Sequence, residues 1–600
     1  MSEIHRIPLR SEVDRQDTWD LSKLYPNDED WKKGLEEYEK MAEGIPGFQG
    51  TLGKSAEDLA DYLDFVRDFN ILEERLGVYA ELRQTEDEGD AVARTMTGRF
   101  MMAAAKAQAV GAWAVPEIQA IPDEAMEALL AHPRLGEYTI YLKKLLRYKP
   151  HILSDREERL LAIHAEGENV ASDAFSVLTN VDMDFGSIDT PQGKRPLSHS
   201  TWSIFMESHD RDLRRRAYEA FYRCFDSHKT TLGALYAGQV KQDVIHARIR
   251  GYPSARAAAL FPDKVPEAVY DNLVAVVNQN LSALHRYYAL RKRALKLDIL
   301  RHYDVYAPIT AAPARRTPWN EAVDMVAAAL APLGEEYTGT LTAGLRGRWA
   351  DRYENKGKRS GAFSSGSYTG EPYILMNYKE DSIRDVFTLA HEGGHSMHSW
   401  YSARSNPFIH YGYTIFEAEV ASTFNEELLF RYLKDHGEGG EFKTSIINHR
   451  ADDLLSTLYR QTMFAEFEAH THELEEGGVP LTTELLREEY RKLQNKYFGP
   501  EMVLEETSDL EGLRIPHFYR AFYVYKYATG ISAALALAER VLSGGARERE
   551  DYFVFLKSGG SRFPMESLNA AGVDMSSPAP VEAACGVFRH LVEELEGLIG

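Results

Sequence analysis

Cysteine is nearly absent: Cys224 and Cys585 are the only two in 600 residues, too few for a disulfide framework. The expectation is a pair of inert buried thiols in a reducing compartment. Long apolar runs are missing as well, since no stretch of about 18 hydrophobic residues is available to span a bilayer. The start, Met1-Ser2-Glu3-Ile4-His5-Arg6-Ile7-Pro8, lacks the basic head, apolar core and small-residue cleavage site of a secretory signal. These absences predict a cytoplasmic protein with no membrane partner. Positive charge is also in deficit, with 69 Lys and Arg against 92 Asp and Glu and a net charge of -23. Such a balance repels polyanions and argues against nucleic acid as a partner. The densest basic cluster, Arg211, Arg214, Arg215 and Arg216, is interleaved with Asp212 and flanked by Asp210 and Glu219, and reads as a solvated helix face. No repeat of 20–50 residues and no low-complexity tract is apparent.

What is present is mostly helix. Apolar residues recur at three- and four-residue spacings from Trp31 to about Leu145, notably over Ser55–Arg83 and Ala91–Val115, and again over Ala217–Ile249, Glu267–Leu297 and Asn320–Leu333. Ser154-Asp155-Arg156-Glu157 has the form of a capping box. Phe175–Phe185 alternates loosely and precedes Asp189-Thr190-Pro191-Gln192-Gly193, which suggests a small hairpin. A chain of this length exceeds one simple core. The reading is an N-terminal helical region, 1–195, with the hairpin near its end, and a catalytic region, 196–600, with the lobes interlocked.

Chemistry concentrates in Phe387-Thr388-Leu389-Ala390-His391-Glu392-Gly393-Gly394-His395-Ser396-Met397-His398. Two histidines four apart share one helix face, where both imidazoles can reach a single zinc ion, and the intervening glutamate lies beside the bound water. His398 falls on the same face but about 10 Å along the axis from His391, too far for a common ion; it reads as an outer-shell or structural residue. A catalytic zinc needs a third protein ligand. Glu417 and Glu419, in Phe416-Glu417-Ala418-Glu419-Val420-Ala421-Ser422-Thr423-Phe424-Asn425-Glu426-Glu427, point to nearly opposite helix faces, so one of them can serve, and composition does not choose between them. Just before the motif, Gly361–Tyr378 is rich in glycine and serine and then strand-like. Its edge, with Gly366, Ser367 and Tyr368, is a candidate for pairing with an extended peptide substrate.

These residues carry a family resemblance. Gly361-Ala362-Phe363-Ser364-Ser365-Gly366 through Asn377-Tyr378, the motif itself, and Glu419-Val420-Ala421-Ser422-Thr423-Phe424-Asn425-Glu426 resemble oligoendopeptidase F of the thimet-oligopeptidase-like zinc metallopeptidase superfamily. Thr18-Trp19-Asp20-Leu21, His302-Tyr303-Asp304-Val305-Tyr306 and Ile515-Pro516-His517-Phe518-Tyr519-Arg520-Ala521-Phe522-Tyr523-Val524-Tyr525-Lys526-Tyr527-Ala528-Thr529-Gly530 fit it too. The resemblance selects Glu419 as third ligand of one zinc per chain. It implies a mainly α, multi-helix, two-lobed peptidase enclosing a deep channel, with a small β-sheet beside the zinc helix, that cuts internal bonds of short peptides. It assigns oxyanion stabilisation to His517, Tyr519 and Tyr527; the spacing departs from thimet-type relatives, and Tyr523 and Tyr525 compete with Tyr519.

In this reading the zinc-activated water attacks the peptide carbonyl while Glu392 accepts its proton and passes it to the departing amine. Glu426, seven residues beyond Glu419, and Ser422 are outer-shell candidates, because a ligating imidazole normally donates its other N–H to an oxygen. Two other functions fit similar architecture, a zinc carboxypeptidase and a non-catalytic peptide-binding protein. The first requires a clamp for a terminal carboxylate, and no arginine can be assigned to it; the second requires loss of one of the four central groups, all of which are present. The oligomeric state, cleavage preference and physiological substrate are not encoded in any recognisable pattern.

Overall fold

The structure, a computed structural model, describes residues 6–165, 167–310 and 315–599; the first five residues of the amino-terminal stretch and the side chain of Asp155 lie outside that description. Helices dominate, separated by short turns and a few two- to four-residue strands. The compact units are not the consecutive regions 1–195 and 196–600. One unit comprises 1–150, 314–432 and 537–572, and the other 151–313, 433–536 and 573–600. The chain therefore contributes three separate stretches to each unit, which hydrophobic periodicity, a local signal, cannot reveal.

The first unit is built on the helix Ala56–Glu86, capped by Ser55 accepting from the Asp58 N–H. It packs with Asp28–Ala42 and Ala91–Gly111 over a core containing Trp31, Leu35, Tyr38 and Leu76. A three-stranded sheet of β1 (Ala350–Asp351), β2 (Phe363–Ser365) and β3 (Tyr373–Leu375) joins that core through Tyr373 and Leu375. Its order is β1-β3-β2, with β1 parallel and β2 antiparallel to β3. Trp19 anchors the amino-terminal segment to this sheet. Its ring lies 6.4 Å from that of Tyr373 and its indole N–H donates to Glu86 at 2.7 Å. The motif helix, Ile383–Ser405, lies against β2 and β3, and the helix Ile415–His436 follows it, with its residues up to Tyr432 in the same unit.

The spine of the second unit is the 39-residue helix Arg211–Ile249, capped by Asp210 accepting from the N–H groups of Asp212 and Leu213. Only part of its basic cluster is a solvated face. Arg215 and Arg216 pair with Asp212 and Glu219 at the surface, whereas Arg211 and Arg214 both reach Asp304 at 2.8 Å. Arg214 and Asp304 are buried, so half the cluster is an internal ion-pair network. The hairpin also sits later than the alternation suggested: Phe175 belongs to the helix Val170–Val177, the chain stays helical to Asp182, and the paired strands are Ser187–Thr190 and Gly193–Pro196. Glu267–Leu297 is two helices, Glu267–Gln279 and Leu281–Ala294, broken at Asn280. Both cysteines are free, Cys585 buried and Cys224 half-buried; burial pushes the Cys585 thiol up to about 12. Among the described residues no helix is long and apolar enough to cross a membrane.

Candidate metal centre and active site

The four-residue spacing within the motif helix delivers the expected convergence. The Nε2 atoms of His391 and His395 lie 3.2 Å apart, and the Glu419 Oε2 lies 3.5 Å from the first and 3.8 Å from the second. Ligand atoms about 2.0–2.2 Å from a tetrahedral zinc stand about 3.3–3.5 Å from one another. The three donors therefore already have the spacing that one such ion requires, and among the described residues they are the one cluster of three or more that could hold a metal.

Glu419 reaches this position because the two helices meet backbone to backbone. A Cβ at Gly394 would lie 2.5 Å from the Ala421 carbonyl oxygen and 2.6 Å from the Ser422 Cα. Asn425, fully buried, then locks the contact: its Nδ2 donates to the Ala390 carbonyl at 3.1 Å and its Oδ1 accepts from the Tyr337 hydroxyl at 3.1 Å. Glu417 is turned away and buried, its carboxylate accepting from the N–H and hydroxyl of Thr414. Tertiary packing thus brings Glu419, and not Glu417, to the two histidines.

Two of the three outer-shell candidates contact the converging side chains. Glu426 Oε1 faces His391 Nδ1 at 2.9 Å, and the Ser422 hydroxyl donates to Glu419 Oε2 at 3.2 Å. His395 has a corresponding hydrogen bond to the Ala418 backbone. His398 behaves differently. It is buried, its ring stacks on Tyr413 at 3.7 Å, and among the described residues its Nδ1 has no hydrogen-bond partner; it is a packing residue rather than support for a ligand. Burial drives His395 down to about 3, helped by the neighbouring His391 charge. Burial opposes the His391 cation too, but the charge and hydrogen bond of Glu426 outweigh it and raise His391 to about 9.

Glu392 is 6% exposed. Burial pushes its carboxyl up to about 7, against the opposing His391 charge and a hydrogen bond from the Ser364 backbone on β2. The sheet is tied to the same helix a second time by the Ser364 and Ser396 hydroxyls, 2.8 Å apart. Gly366, Ser367 and Tyr368 follow β2 and are engaged within the unit. A Cβ at Gly366 would lie 2.4 Å from the Ser399 hydroxyl. Ser367 Oγ accepts from the Gly370 N–H at 2.7 Å, and the Tyr368 N–H donates to the Glu74 carboxylate at 2.7 Å. What these residues show directly is a segment packed tightly on the motif helix.

His517, Tyr519 and Tyr527 belong to the second unit. His517 stacks on Tyr523 with ring centres 5.8 Å apart and planes 9° from parallel, and Tyr527 stands edge-on, 5.9 Å from His517 and 5.4 Å from Tyr523. Tyr519 is outside this group. Its ring packs on Phe175 at 4.6 Å, and its buried hydroxyl has no hydrogen-bond partner among the described residues. The structure therefore groups Tyr523, not Tyr519, with His517 and Tyr527.

The family model described as Peptidase family M3 matches residues 204–587, more than half of the chain. This chain belongs to peptidase family M3. The model described as Oligopeptidase F matches residues 117–185, placing the chain in the oligoendopeptidase F group of that family. Oligopeptidase PepF of Bacillus subtilis is 41% identical over 600 residues, covering 99% of this chain and 89% of the relative. A crystal structure from Chlamydophila abortus superposes with a TM-score of 0.91 at 37% identity, covering 99% of this chain and 100% of the other. That of oligoendopeptidase-F from Enterococcus faecium gives 0.75 at 33%, covering 95% and 99%. As an M3 member the protein is a metalloendopeptidase. Of the two residues that set the contact between the motif helix and the helix of Glu419, only one had a sequence signal. A glycine inside a helix costs about 1 kcal/mol against alanine, so Gly394 hinted at a close approach; Asn425 carried no hint, since its partners come from distant segments.

Proposed function

We propose that the protein hydrolyses internal bonds of short oligopeptides with zinc held by His391, His395 and Glu419 and with Glu392 as general base. The observation that carries this reading is the set of donor separations, 3.2, 3.5 and 3.8 Å, beside a buried carboxyl on the same helix. When bound, the ion supplies Lewis acidity toward a water and the scissile carbonyl. The Glu392 carboxylate accepts the proton of the attacking water and returns it to the leaving amine, held in orientation by the Ser364 backbone. Glu426 fixes the His391 ring through Nδ1, leaving Nε2 for the ion. Family resemblance assigns donors for the oxyanion to His517 and Tyr527, and the ring cluster favours Tyr523 over Tyr519 as their companion. Short peptides are the proposed partners and the cytoplasm the proposed location.

The decisive test is product analysis on a peptide blocked at both ends and incubated with the zinc-loaded protein. Internal cleavage is expected. Cleavage confined to a free C-terminal residue would identify a carboxypeptidase, and binding without turnover a peptide-binding protein.

Two narrower results are expected. Glu426→Gln should weaken zinc about 10- to 100-fold, measured by competition with a chromophoric chelator, because the ring loses its charged orienting partner; unchanged affinity would remove Glu426 from the site. Phe substitution at Tyr523 or Tyr527 should lower kcat with little change in KM, whereas Tyr519→Phe should leave both near wild type. A kcat loss confined to Tyr519→Phe would reverse that assignment.

A further inference from the structure

Three non-glycine residues among those described have left-handed backbones, Lys264, Lys296 and Phe522. The lysines sit in exposed turns. Phe522 is different: its φ is +52° and its ring is buried, packed against Tyr270 and His472. A bulky aromatic side chain is among the least suited to this conformation, and it persists only where its surroundings impose it. Phe522 lies between the short helix Pro516–Tyr519 and the helix Tyr525–Ser543, immediately before Tyr523.

A carboxyl group from another helix meets the backbone of this turn. Glu468, on Gln461–Glu476, is fully buried, and its Oε1 accepts the Phe522 backbone N–H at 2.7 Å. Among the described residues its Oε2 has no hydrogen-bond partner. One turn on, His472 faces the Glu468 backbone carbonyl through Nδ1 at 2.8 Å and Asp243 through Nε2 at 3.3 Å, and its ring lies 4.6 Å from that of Phe522. Burial pushes the Glu468 carboxyl up to about 8, against the His472 charge and the Phe522 N–H. An apolar side chain would fill the same space without desolvating a carboxyl, so packing alone gives no reason for glutamate here. The reason on view is the acceptor oxygen.

We propose that Glu468 is a positioning residue: by accepting the Phe522 N–H it fixes the left-handed turn that brings Tyr523 and Tyr527 against His517. The inference rests on the proposed role of those three residues and adds a buried determinant of their arrangement, contributed by a helix that holds none of them. Glu468 touches no substrate in this scheme.

The test compares Glu468→Met, which removes the acceptor at similar volume, with Glu468→Gln, which retains it, in the zinc-loaded full chain. Glu468→Met should lower kcat about 10- to 100-fold, since displacement by about 1 Å costs on that order, with KM and zinc content near wild type. Glu468→Gln should stay within about threefold of wild type, because its amide oxygen still accepts the N–H. Phe522→Gly, which adopts the turn without strain, should recover part of the kcat lost in Glu468→Met. Wild-type kcat in Glu468→Met, or equal losses in both Glu468 variants, would overturn the proposal. If Glu468→Met fails to fold, Glu468→Gln decides alone: near-wild-type kcat supports the acceptor role, and a loss of about tenfold or more refutes it. Tyr523→Phe and Tyr527→Phe are assayed alongside. If they retain full kcat, the role assigned to the tyrosines fails; if they lose it while Glu468→Met does not, only the Glu468 inference fails.

Discussion

Glu392→Gln should reduce kcat by roughly 100- to 10,000-fold, the range that positioned general-base catalysis contributes. Zinc content and fold should be unchanged. Gln preserves the side-chain shape, and an amide oxygen can still accept from the Ser364 backbone that now contacts the carboxylate. Glu392 is not among the three groups whose donor atoms converge, His391, His395 and Glu419, so its neutralisation removes a proton acceptor without removing a ligand. Steady-state kinetics with metal analysis on the same preparation separates these effects. A variant that retains wild-type kcat would refute Glu392 as the base, and one that loses zinc in proportion to activity would move Glu392 from proton transfer to metal binding.

Gly394→Ala should be nearly as damaging, for a reason unconnected with proton transfer. Helix propensity alone favours the substitution by about 1 kcal/mol. The new methyl, however, would stand 2.5 Å from the Ala421 carbonyl oxygen and 2.6 Å from the Ser422 Cα, and these backbone atoms cannot turn aside as a side chain can. The helices must separate or shift, and Glu419 lies on the segment that is pushed. The expected result is a loss of about 1–3 kcal/mol in stability from overpacking. Zinc affinity should fall at least about 10- to 100-fold as the third ligand moves off the ion, with a matching fall in activity. Gly393→Ala is the internal control. The three atoms nearest its Cβ, from 3.3 Å outward, all belong to the Leu341 side chain, which can adjust its rotamer. Thermal unfolding and chelator competition on the pair decide the matter: equal zinc affinity in the two variants would sink the argument.

The contrast between neighbouring glycines illustrates what the sequence conveys. The pairing of His391 with His395 was legible because it depends only on helical repeat, and their Nε2 atoms do converge. Glu426 was legible for the same reason, being two turns beyond Glu419 on one face. Failures occurred where a neighbour distant in sequence decided the outcome. Arg211 and Arg214 read as solvated until Asp304, about ninety residues later, is seen to take both. For His398 the sequence left an outer-shell and a structural role open, and its stacking on Tyr413 fits the structural one. Tyr519 and Tyr523 flank the same turn and are chemically identical; the left-handed Phe522 between them and the contact of Tyr519 with Phe175 give them different surroundings.

By itself the sequence determined a mainly helical fold in which His391, Glu392 and His395 fall within five residues of one helix, because spacing along a helix fixes which side chains share a face. Only the tertiary structure decided that Glu419 and not Glu417 meets those histidines, and that Ser364 on a neighbouring strand is tied to the helix of Glu392 through Ser396. The same holds for the composition of each compact unit from three separate stretches of chain. Those outcomes depend on backbone approach between elements distant in sequence, through Gly394 and Asn425 above all, and no local pattern of residues encodes how closely two helices will lie.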